Sequence, residues 1–168
     1  MQHISLVTPE FAARRALRAN STCPQLWSTL DSVFDPELPH VTIWDLGILV
    51  DVQQQDEKRC KVTVSPTYSG CPAIDVISED IVSALNGSGV EHVEVAVSLS
   101  PAWNTDLISP AGKAAMLSQG IAPPDKSVNC PQCGSEHTSV ISQFGSTACK
   151  ALYRCNDCLE PFDYFKEF

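Results

Sequence analysis

Cys130-Pro131-Gln132-Cys133-Gly134, answered downstream by Cys155-Asn156-Asp157-Cys158, decides how the C-terminal part of this chain folds. A Cys-x-x-Cys pair places two thiolates on one tight turn, and a glycine after the second cysteine permits the positive φ that such a turn needs. Two pairs offer four sulfurs, and four thiolates at about 2.3 Å make the tetrahedron that zinc prefers. Cys130, Cys133, Cys155 and Cys158 are therefore the expected ligands of one structural zinc ion. Iron suits the same sulfurs, and disulfides or a redox-active pair are the other uses of such a pattern. The stretches 137–143 and 147–154 read as strands. Residues 130–168 are thus expected to form a β-rich zinc ribbon. A unit this small rarely builds a sufficient core, so metal binding would supply much of its folding free energy.

Working toward the N-terminus, residues 122–129 contain Pro123, Pro124 and Ser127 and read as a linker. Residues 23–121 carry the order helix, hairpin, helix, strand, helix. Leu26, Trp27, Leu30, Val33 and Phe34 recur at helical spacing, which predicts a helix over 24–34 capped by Ser21 or Thr22. It stops at Asp35-Pro36, because the residue before proline avoids the helical region. Leu46, Ile48, Val50 and Val52 alternate, as do Cys60, Val62 and Val64, and the two runs predict a hairpin. Ile74, Ile77, Ile81 and Leu85 mark the buried stripe of a helix that follows Pro72. Val93, Val95, Val97 and Leu99 alternate as a third strand, and a last helix is expected over 109–119. The expected fold is a small α+β domain, a mixed three-stranded sheet covered by helices, followed by the ribbon. Residues 1–22 form an N-terminal helical extension, with Thr8 as N-cap and Pro9 at the first helical position.

Composition narrows the function classes. The 168 residues are 43% hydrophobic and 18% charged, which suits a folded chain. The net charge is -9 and only 11 residues are Lys or Arg, so neither nucleic acid nor an anionic membrane surface is an expected partner. No apolar run approaches the roughly 18 residues of a membrane span. Residues 1–6 carry no basic head before an apolar stretch, which sets the expectation of a cytoplasmic protein. In that reducing compartment the eight cysteines would serve metals rather than disulfides.

Cys71 is the most informative single residue. Pro72 suits the first helical position, which puts Cys71 at the N-cap, facing unpaired N–H groups and the positive helix end. Both would lower its pKa and ready it for a metal or an electrophile. A plain capping role is the alternative, and Asp75 in the first turn opposes the shift. Asp35 and Glu37 share one rigid loop, either as site partners or as solvated acids at a helix stop. Cys149 is a further thiol beside Lys150, read as a packed strand residue or as a second functional thiol. Cys60 shares a face with Val62 and Val64 and reads as core. No P-loop, GxGxxG, GxSxG or HExxH occurs, so no catalytic constellation is expected.

Asp35-Pro36-Glu37, Asp45-Leu46-Gly47 and Thr67-Tyr68-Ser69-Gly70-Cys71-Pro72 together resemble the metal–sulfur cluster biosynthesis domain of iron–sulfur assembly factors. The run Ser142-Gln143-Phe144-Gly145-Ser146-Thr147-Ala148-Cys149-Lys150 through Cys155, with Glu160-Pro161-Phe162-Asp163-Tyr164-Phe165-Lys166, is similar to the PaaD (PaaJ) family of bacterial phenylacetate degradation. That resemblance runs from about residue 24 to 168. It implies an accessory role beside the phenylacetyl-CoA ring epoxidase, a di-iron monooxygenase. It implies iron–sulfur maturation or delivery to the reductase component, with Cys71 as transfer ligand, Asp35 and Glu37 as loop partners, and a transient Fe or Fe–S cargo. The ribbon would dock the client, and a homodimer pairing two Cys71 sites would suit cluster bridging. The alternative is a non-catalytic structural or regulatory subunit of the epoxidase complex.

Overall fold

Thr8 accepts a hydrogen bond from the Phe11 N–H at 3.1 Å and starts α1 (Pro9–Ala19), with Pro9 in its first turn. The computed structural model describes residues 7–167; the part of the 1–22 extension before Val7 lies outside them. A half-buried arginine ties α1 down. Arg14 donates to the carbonyls of Leu107 at 2.6 Å, Trp44 at 2.7 Å and Leu49 at 3.2 Å. Its guanidinium also lies 4.1 Å above the Trp44 ring. Trp27 meets Trp44 edge-on at 5.6 Å, and Phe11 approaches it at 6.1 Å. Arg18 grips Asp31 with both terminal nitrogens, at 2.8 and 2.6 Å.

α2 (Pro24–Leu30) is shorter than the expected 24–34 helix. Beyond it Phe34 forms a bridge with Thr42, and the Asp35 carboxylate takes the N–H groups of Glu37 and Leu38, which bends the chain into a loop. Neither Ser21 nor Thr22 caps it. Cys23 holds the N-cap position without a side-chain bond, while Ser21 Oγ accepts from the Cys23 N–H and the Trp27 indole.

The strand expected from Leu46 begins later. Thr42 caps a one-turn helix, α3 (Ile43–Leu46), which ends on Gly47 at φ 88°. A side chain at 47 would also meet Leu107 Cβ at 2.7 Å, so two constraints select glycine. β1 (Leu49–Gln54) then carries a bulge between Leu49 and Asp51, and the extra residue turns Val50 toward solvent. β1 pairs antiparallel with β2 (Arg59–Val64), and β2 pairs parallel with β3 (His92–Val97). The parallel pair requires a crossover, supplied by α4 (Ala73–Gly87), whose Ile77, Ile81 and Leu85 are fully buried. A turn of 3₁₀ helix at Thr105–Leu107 and α5 (Pro110–Ser118) follow. The mixed three-stranded α+β sheet is as expected.

The chain divides into two compact units between Gly112 and Lys113. The second unit is a four-stranded sheet in the order β4-β7-β6-β5, from β4 (Ile121–Ala122), β5 (Thr138–Ser142), β6 (Lys150–Cys155) and β7 (Pro161–Phe165). Residues 122–129 lie inside this unit, where Ala122 pairs with Tyr164. Its core is small: Ala122, Ala151, Phe162 and Tyr164 pack around Cys130 and Cys155. Among the described residues no helix is long and apolar enough to cross a membrane.

Arg14→Ala removes three hydrogen bonds and a ring contact in one step. Urea unfolding is expected to show a loss of about 2 kcal/mol, with Arg14→Lys recovering only part because the planar fork is lost.

Candidate metal centre and thiol site

The two Cys-x-x-Cys turns are copies of one another. In the first, the Cys130 N–H donates to Ser135 O at 2.9 Å, and Gly134 takes φ 76°. In the second, the Cys155 N–H donates to Glu160 O at 3.0 Å, and Leu159 takes φ 66° at the corresponding position. Leucine there is strained, because its Cβ crowds the backbone in the left-handed region. The turns face each other across the end of the sheet. Cys130 Sγ lies 3.6 Å from Cys158 Sγ, and Cys133 Sγ lies 3.6 Å from Cys155 Sγ. All four sulfurs fall within 4.8 Å of one another. A tetrahedron of zinc–sulfur bonds near 2.3 Å has edges of about 3.8 Å, so the donor set fits that ion.

The charges agree with the geometry. The backbone N–H groups of Cys158 and Asp157 bring the Cys155 thiol down to about 6. Cys158 receives the Glu160 N–H, yet burial and the neighbouring sulfurs push it up to about 12. One thiol ionises readily and the next resists, because adjacent thiolates repel. A dication among them removes that repulsion and would leave all four ionised.

Cys71 follows Gly70, whose φ of 80° makes the tight approach to α4. The helix places Pro72, not Cys71, at the N-cap, without a side-chain bond. Cys71 precedes it by one residue, and its thiol still receives the N–H of Ala73, the first residue of α4, together with a hydrogen bond from the Tyr68 side chain. The expected lowering of its pKa is not found. Burial raises the thiol, and the Glu37 and Asp35 carboxylates raise it further, against the opposing pull of the Ala73 N–H and Tyr68. The fold therefore does bring Cys71, Asp35 and Glu37 into one neighbourhood, but as a thiol whose pKa is raised, first by burial and then by the acids, rather than a ready thiolate.

The two acids differ. Asp35 is buried and braces its own loop, one oxygen accepting the N–H of Glu37 at 2.8 Å and of Leu38 at 2.9 Å. Glu37 is half-buried. Among the described residues, the group that converges as a metal-ligand set is the four ribbon cysteines. Ser65, at the foot of the Cys71 loop, buries a hydroxyl that has no hydrogen-bond partner among the described residues. Tyr68 was legible only as part of the loop; its bond to the thiol depends on how the loop closes. Cys149 is buried just before β6, 3.1 Å from Thr147 Oγ1, at the opposite end of that strand from Cys155. Cys60 is core, as its strand face implies.

Residues 114–166 match the PaaD zinc beta ribbon domain, and residues 24–98 match the iron-sulfur cluster assembly protein family. A protein of Escherichia coli (strain K12), provisionally named as one of the subunits of 1,2-phenylacetyl-CoA epoxidase, is 44% identical over 151 residues, 84% of this chain and 91% of its own. The chain belongs to the PaaD family. Within that family the ribbon accounts for the four clustered cysteines, and the assembly domain begins at Pro24, the first residue of α2. α1 lies before that match, yet Arg14 makes it part of the same packed unit. An Fe-S protein maturation auxiliary factor of Porphyromonas gingivalis is 36% identical over 92 residues, 54% of this chain and 84% of its own. A crystal structure from Bacillus anthracis of a domain of unknown function, DUF59, superposes with a TM-score of 0.52 at 30% identity, covering 62% of this chain and 95% of that one.

Two outcomes are expected. One zinc per chain by elemental analysis should be lost in Cys155→Ser and on acidification, since protons compete for the thiolates; its loss should melt the β-sheet signal of the second unit. Alkylation of Cys71 should show a pH midpoint above that of an ordinary thiol. Glu37→Gln removes a charge that raises it, so the midpoint should fall and the rate at pH 8 should rise.

Proposed function

We propose that this chain is a non-catalytic accessory factor of a phenylacetyl-CoA epoxidase system, serving iron–sulfur maturation or delivery to the reductase component in the cytoplasm. The observation that carries the reading is the Cys71 thiol, half-buried at the head of α4 with the Ala73 N–H on it and Asp35 and Glu37 beside it. An arriving iron cation reverses the electrostatics there. The carboxylates that hold the proton on sulfur without metal favour the cation with it, and the proton leaves as the metal binds. One thiol supplies one bond and leaves the other coordination positions of iron to other ligands, which suits cargo that must be handed on. A homodimer that pairs two Cys71 sites would provide a second thiol for a bridging cluster. The names of the relatives, an epoxidase subunit and maturation factors, support the same assignment.

The parts would divide as follows. The first unit carries the transfer site, and the ribbon unit that follows Gly112, held by zinc on Cys130, Cys133, Cys155 and Cys158, docks the client. α1 braces the first part through Arg14. Cys149, buried at the far end of β6, is assigned to packing. The naming of the Escherichia coli relative as an epoxidase component favours a second reading, a structural or regulatory subunit that stays in the epoxidase complex.

Anaerobic reconstitution of the reductase component with wild-type chain or Cys71→Ser separates the two. The delivery role expects the acceleration to fall at least tenfold in Cys71→Ser, with thermal stability unchanged. Equal acceleration by the variant, or stoichiometric co-purification with full epoxidase activity, would favour the structural subunit.

A further inference from the structure

A groove that none of the proposed transfer chemistry uses lies between the Asp35 loop and α4. Phe34, Pro36 and Pro39, on the loop after α2, line it together with Asp80, Ser83 and Ala84 of α4, around ≈ 440 Å³. Phe34 is 42% exposed, an unusual position for a phenylalanine beside two rigid prolines. Asp35 reaches both places: it lines the groove and its charge acts on Cys71. Asp35 thus links the groove to the surroundings of the thiol.

The charge around it is of one sign. No Lys or Arg occurs between Arg18 and Lys58, or between Lys61 and Lys113, and both the loop and α4 fall inside those stretches. α4 exposes Asp75, Glu79 and Asp80 on its solvent side, and among the described residues none of the three joins an ion pair. An apolar wall with a rim of unneutralised carboxylates attracts its opposite: an aliphatic or aromatic side chain with cations on either side.

We propose that this groove docks a segment of the client protein that carries an apolar side chain flanked by Lys or Arg, holding the client against Cys71; the position of the client rests on the delivery role proposed above. Prolines on one side and a helix on the other give a preformed seat, so little ordering opposes binding. The acidic rim speeds the encounter and makes it salt-dependent.

The test uses the zinc-loaded full chain and the peptide acetyl-Arg-Leu-Arg-Leu-Arg-amide, with the Glu-for-Arg peptide as control. Amide shifts in ¹⁵N spectra should concentrate at residues 32–39 and 80–84, and the affinity should drop at least tenfold in Ser83→Arg and in Asp80→Lys. Both replacements are at exposed helix positions and should leave the fold intact. In the same variants, acceleration of reductase reconstitution should fall while iron uptake at Cys71 persists. Shifts spread over the whole acidic surface, or equal affinity in both variants, overturn the proposal. So does loss of a homodimer in Ser83→Arg, which would assign the groove to a second copy. If the peptide seats as expected and Cys71→Ser still supports reconstitution, the groove stands and the delivery role fails.

Discussion

Sulfur atoms crowded together cannot all carry negative charge without a cation, and the second unit of this chain is organised around that constraint. In the second unit four sulfurs crowd to within 4.8 Å, where they cannot all ionise unaided. The sheet behind them buries few large side chains, chiefly Phe162, Tyr164 and Phe165, so the bond energy of a metal does what a larger core would do elsewhere. The two turns repeat the same backbone bonds, and the second accepts a strained Leu159 to do so. Geometry at the metal dominates local preference there.

Cys71 meets the same constraint in an open form. Its single sulfur lies by a helix start, which favours negative charge, but burial and two carboxylates disfavour it more. The balance changes sign when a cation arrives. On the proposed reading, a closed four-sulfur cage would retain an ion, whereas one thiol flanked by acids would accept and release one, so the number of converging donors would separate a structural site from a transfer site.

α1 shows how far a frame can depend on one side chain. Arg14 reaches three carbonyls from separate segments and covers the Trp44 ring, where Trp27 and Phe11 also converge. Asp45 acts similarly nearby, accepting from Thr42 Oγ1 at 3.0 Å and from Ser109 Oγ at 2.5 Å. These two residues tie helices and loops to the sheet edge.

The spacing of the cysteines determined the ribbon, because each Cys-x-x-Cys turn is local and two such pairs supply the four thiolates that one metal ion needs. Residue periodicity likewise determined α4, β2, β3 and the mixed three-stranded sheet, since amphipathic patterns register which face is buried. Three things waited on the tertiary structure. The end of α2 and the bulge in β1 are set by Asp35 capturing loop N–H groups and by the pairing register. The role of α1 depends on Arg14 meeting carbonyls far along the chain. The pKa of the Cys71 thiol runs opposite to what its helix start alone implies, because burial and, behind it, carboxylates from another segment raise it. Local geometry is written in neighbouring residues, whereas electrostatics sums over everything the fold brings near.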